Sequence, residues 1–138
     1  MRDFASLFMR LDQSNKTSDK LEALRTYFLS VSDEDKLWTI ALFTHRRPKR
    51  QVNTRQLREW CCEWSGIPDW LFEESYQTVG DLAETISLLL PTKEIHQDNS
   101  LSFWIGYLID LESLEESDKK EKILTAWEMM AKEERFIF

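Results

Sequence analysis

The chain has 138 residues, 18 Lys and Arg against 25 Asp and Glu, and a formal charge of −7. Six Trp and eight Phe within a 42% hydrophobic composition exclude a disordered chain, because such groups offset the entropy of ordering. Three Gly and three Pro are too few for an all-β fold, and no apolar run approaches the ~20 residues of a membrane span. The length suits one domain, and helix is the remaining class. The acidic total argues against a protein that coats nucleic acid generally.

The elements follow from apolar spacing. Phe4, Leu7, Phe8 and Leu11 mark a first helix, and charged Arg2, Asp3 and Arg10 among them predict no signal peptide. Ser18 is expected to cap a second helix with the stripe Leu21, Leu24, Phe28 and Val31. Ser32 caps a third, where Asp33, Glu34 and Asp35 suit the helix dipole and Leu37, Ile40, Ala41 and Thr44 form the stripe beside Phe43. Pro48 breaks the pattern at His45-Arg46-Arg47-Pro48-Lys49-Arg50. Asn53 or Thr54 restarts a helix with Leu57, Trp60, Cys61 and Trp64, and Gly66 ends it. A short helix over Asp69–Tyr76 and another over Val79–Leu90 precede Pro91. Thr92–Ser100 reads as a loop, and Leu101 to Leu111 as a strongly apolar helix. Ser117 caps a last helix, running to about Lys132 with Ile123, Leu124, Trp127 and Met130 inward. The expectation is one compact all-α domain of seven or eight short helices. Phe136, Ile137 and Phe138 leave two explanations open: the tail docks into the core, or the chain is the leading part of something longer.

Catalytic chemistry is scarce. His45, Cys61, Cys62 and His96 lack the spacing of a zinc site, and adjacent helical cysteines are poorly placed to bridge each other. A reducing, cytoplasmic setting fits. Gly66, Gly80 and Gly106 are too far apart for a phosphate-cradling loop. The pairs Glu73-Glu74 and Glu115-Glu116 read as solvated faces, and no nucleophile has a visible base. No enzyme activity, metal or cofactor is expected of this chain alone.

One feature stands out. His45, Arg46, Arg47, Lys49, Arg50, Arg55 and Arg58 crowd six fixed cations and a histidine into a short stretch of an acidic chain. A loop opening onto a helix start suits a phosphate backbone, and the planar Arg fork suits it better than Lys. A solvated loop balancing acidic neighbours is the other reading. Most tryptophans share stripes with apolar residues and read as core, with Trp64 and Trp70 expected to be partly exposed.

The order of segments resembles the start of ATP-dependent DNA ligases, most closely their bacterial branch. It runs from Phe4-x-x-Leu7-Phe8 through Lys20-Leu21-x-x-Leu24-x-x-Tyr27-Phe28 and Trp38 to Arg46-Arg47-Pro48-Lys49-Arg50. Leu57-Arg58-Glu59-Trp60, Gly66-Ile67-Pro68-Asp69-Trp70-Leu71-Phe72-Glu73-Glu74 and Val79-Gly80-Asp81-Leu82-Ala83-Glu84-Thr85-Ile86 continue it. The resemblance implies the leading portion of an all-α DNA-binding domain that grips nicked duplex across the minor groove. Arg46, Arg47, Lys49 and Arg50 would then face DNA, and a nucleotidyltransferase and an OB domain would be partners in the parent chain. ATP and Mg²⁺ would serve that parent, since no Lys-x-Asp-Gly motif occurs here. The expected chain is a monomer without a membrane, serving ligation in replication, recombination or repair. A helical protein–protein module using acidic faces and a Trp64–Trp70 patch is the alternative.

Overall fold

Apolar residues at helical spacing, few glycines and repeated capping side chains fold this chain almost wholly as helix. The computed structural model describes residues 1–92 and 97–138, so His96, rejected above as a zinc ligand, and part of the expected loop lie outside the described residues. Among the described residues are nine α-helices and one 3-10 turn, Leu111–Ser113, with no strand. The all-α expectation holds. The chain divides into two compact units, Met1–Lys49 with Asp98–Ile109, and Arg50–Gln97 with Asp110–Phe138.

Unit 1 is built on α1 (Arg2–Gln13), α2 (Thr17–Ser30), α3 (Asp33–Phe43) and most of α7 (Leu101–Asp110). Phe4 and Leu7 of α1 are buried as their spacing predicts, together with Ala5, while Phe8 and Leu11 of the same stripe are half-buried. Phe4 meets Tyr27 edge-on at 6.3 Å and stacks on Phe43 at 5.9 Å, favoured ring geometries. The inward face of α2 is displaced from expectation: Ala23 and Tyr27 are buried, whereas Leu21 is exposed. In α3 the expected stripe points outward, with Leu37 68% and Ile40 51% exposed. Asp35 and Thr39 face inward instead. The reason is a polar network. Tyr27 donates to Thr39 Oγ1 at 2.8 Å, and Thr39 donates to the Asp35 carbonyl at 2.7 Å. The Asp35 carboxylate accepts from the Leu101 and Ser102 amides at 3.3 and 2.8 Å, capping α7. Burial raises the Tyr27 pKa, partly offset by its bond to Thr39.

Unit 2 holds α4 (Thr54–Ser65), α5 (Asp69–Val79), α6 (Leu82–Leu89), α8 (Glu116–Met129) and α9 (Lys132–Ile137). Asn53 caps α4 through a reciprocal capping box with Gln56 (2.9 and 3.1 Å). Gly66 and Gly80 end α4 and α5 at φ 73° and 82°, where a side chain would be strained. Asp81 then caps α6 by accepting from Glu84 N–H, so the helix expected from Val79 begins at Leu82. The tail forms α9 and packs on α6. Arg135 is 3% exposed and donates to the carbonyls of Trp127, Leu90 and Pro91 at 2.7, 3.3 and 2.9 Å. A single guanidinium thus closes the ends of α6 and α8, whose last carbonyls have no partner within the helix. Trp60, Cys61, Phe72, Ile86, Ile123, Ala126, Trp127 and Met130 make up the core beneath it.

Candidate nucleic-acid interface

Helix α3 ends in a tight reversal. His45 adopts the left-handed conformation at φ 65°, its amide donates to Leu42 O at 3.1 Å, and the Arg46 amide donates to Ala41 O at 2.8 Å. These two bonds form a Schellman motif, which normally places glycine at this residue. The Thr44 hydroxyl adds a bond to Ile40 O at 2.8 Å. The turn directs the chain out of unit 1 along an irregular stretch in which Pro48 fixes one φ and forbids helix.

In unit 1 the candidate cations His45, Arg46, Arg47 and Lys49 are all exposed on this stretch. Arg46 and Arg47 form no ion pair or side-chain hydrogen bond among the described residues. Two adjacent guanidinium groups in water, each with five donors, are free to meet an anion.

In unit 2 the candidate cations are engaged differently. Arg50 is exposed, and its Nε donates to Val52 O at 2.9 Å. Arg55 Nε donates to Glu59 Oε1 at 2.8 Å within α4, which raises the Arg55 pKa. Arg58 lies 2.6 Å from Glu73 of α5 and sits over the Phe72 ring, 5.3 Å from its centroid. Arg55 and Arg58 occupy one face of α4, three residues apart, and both carry a carboxylate partner. The α4 N-terminus does not present all its amides as expected, because the Asn53 side chain takes the Gln56 N–H.

Charge is distributed unevenly between the units. Unit 1 carries nine Lys and Arg against eight Asp and Glu, while unit 2 carries nine against seventeen. The acidic excess therefore lies in unit 2, while Arg46 and Arg47 lie in the nearly balanced unit 1. The sequence reading summed the chain as one domain and so missed this division, which falls at Lys49.

The cysteines offer little chemistry. Cys61 is fully buried, and burial pushes its thiol up to about 12. The Cys62 thiol is also raised, by burial and by its hydrogen bond to Asp69. Thiolate is the nucleophilic and metal-binding form, and neither residue reaches it near neutral pH. Trp70 is 67% exposed and Trp64 half-buried, as the turn at Gly66 predicts. The exposure of Leu71 beside Trp70 was not legible, because it depends on which face of α5 packs inward.

The family model described as DNA ligase N terminus matches residues 1–138, the whole chain. No curated protein matches this chain.

Proposed function

This chain belongs to the N-terminal domain family of ATP-dependent DNA ligases, and from that premise we propose that it binds nicked duplex DNA through phosphate contacts that ignore base sequence. In this reading it positions the nick for nucleotidyltransferase and OB domains of a cytoplasmic parent ligase, which supplies ATP and Mg²⁺ chemistry to replication, recombination or repair. The chain itself contributes grip and no bond-making step.

The observation that carries the reading is the exposed Arg46-Arg47 pair, held by the Schellman turn and Pro48 and bound to no carboxylate among the described residues. Phosphate contacts fix a protein on the duplex without reading sequence, and a guanidinium fork suits a phosphate. Counterion release then makes affinity fall with salt, with a log–log slope of about −0.9 per phosphate neutralised.

The test is a titration of fluorescent nicked duplex at several salt concentrations. Arg46→Ala with Arg47→Ala should weaken binding on the order of tenfold per arginine (about 1.4 kcal/mol each) and flatten the slope by about two. Adding Lys49→Ala and Arg50→Ala should flatten it further. A quadruple variant that binds as the parent does overturns the assignment. A second reading rests on Trp70, whose exposure beside Leu71 fits an anchor for a protein partner. A chain serving only that role shows no salt-sensitive DNA affinity.

A further inference from the structure

Unit 2 holds both cations of the exposed α4 face against its own carboxylates. Arg55 is 86% exposed at its side chain and bonds Glu59 one turn along. Arg58 is 35% exposed, clasped by Glu73 and resting on Phe72. Glu73 is itself held in place, accepting from Gln77 Nε2 at 2.9 Å. That bond, with the Arg58 charge behind it, keeps the Glu73 pKa below the usual carboxylate range despite some opposing desolvation. The next residue, Glu74, is more exposed than the half-buried Glu73 and has no ion-pair partner among the described residues.

Resting on the DNA-binding reading above, we infer that Glu59 and Glu73 are counter-charges that mask the α4 arginines, so that a duplex gains Arg55 and Arg58 only by displacing them. Exposed ion pairs are weak, and a phosphate offers the same bidentate geometry as a carboxylate. Masking is therefore a brake and not a lock. The displaced carboxylate remains beside the strand and repels it, so the gain from each α4 arginine is partial.

The experiment compares the full chain with Glu73→Gln, Glu59→Gln, Glu74→Gln and the double variant Glu73→Gln with Arg58→Gln, all titrated with the same nicked duplex across a salt series. Gln keeps the volume and one acceptor, and a melting curve verifies folding of each variant. Glu73→Gln and Glu59→Gln should each tighten binding several-fold at ~100 mM salt and steepen the log–log slope by about one, the signature of an added phosphate contact. Glu74→Gln removes the same charge and should leave the slope as it was. Arg58→Gln should abolish the gain of Glu73→Gln, a coupling that only a shared contact produces. An equal gain in Glu74→Gln, or a gain that survives Arg58→Gln, overturns the masking while leaving the binding reading intact. A parent chain without salt-sensitive affinity overturns both.

Discussion

Cys61, Arg135 and Trp127 meet in the core of unit 2, where a thiol, a guanidinium and a carbonyl replace the usual apolar contacts. Burying a cation without a carboxylate is costly unless its donors find partners, and three backbone carbonyls accept one bond from each of the three Arg135 nitrogens. Burial lowers the Arg135 pKa, with only the nearby Cys61 sulfur acting against it. The thiol has a consequence for stability. Its pKa is about 12 in the folded chain and 9.0 without burial, so folded protein keeps a proton that unfolded protein gives up. Its contribution is complete below pH 9 and is lost as pH rises from 9 towards 12, at up to about 1.4 kcal/mol per pH unit. Urea unfolding at pH 8, 9 and 10 should show that decline. Cys61→Ala should make the profile flatter, and an equally steep one would mean that other groups govern it.

Helix ends decide the packing of unit 1. Asp35 begins as a first-turn acid of α3, suited to the dipole, yet its carboxylate turns inward and caps α7, 66 positions away in sequence. Capping through a charged acceptor is worth about 1–2 kcal/mol. Asp35→Ala should cost about 2 kcal/mol in unfolding, since two amides lose their partner in a buried setting. Hydrogen exchange offers the sharper reading. The Ser102 amide should exchange much faster in the variant, while amides of α4 remain as protected as before. Protection of Ser102 that survives the change would show another acceptor at that end. This cap also explains why the apolar pattern of α3 misled: its two faces are nearly equal in hydrophobicity, and the polar partners of Asp35 and Thr39 choose between them.

Charge organises the molecule at the largest scale. The net −7 is the sum of a nearly balanced unit 1 and a strongly acidic unit 2, in which Glu112, Glu115, Glu116, Asp118 and Glu121 crowd the start of α8. An acidic unit opposes a polyanion more than a nearly balanced one does, and screening confines the effect to about 8–10 Å at ordinary salt. Amide exchange with and without saturating nicked duplex should therefore slow over residues 44–49 and stay unchanged over Glu116–Met129. Protection centred on α8 would be incompatible with the phosphate contact proposed.

Much of this was settled by order along the chain. Helical class, the caps at Ser32 and Asn53, the stop at Gly66, the break at Pro48 and the cationic stretch are local matters of side-chain chemistry and backbone sterics acting over a few residues. The family relation likewise sits in the linear order of segments. What tertiary structure alone decided was which of two similar helix faces is buried, which acid caps a remote helix, and which arginines already hold a carboxylate. Those outcomes are competitions between partners distant in sequence, where burial makes an unsatisfied polar group costly, and no periodicity records which partner wins.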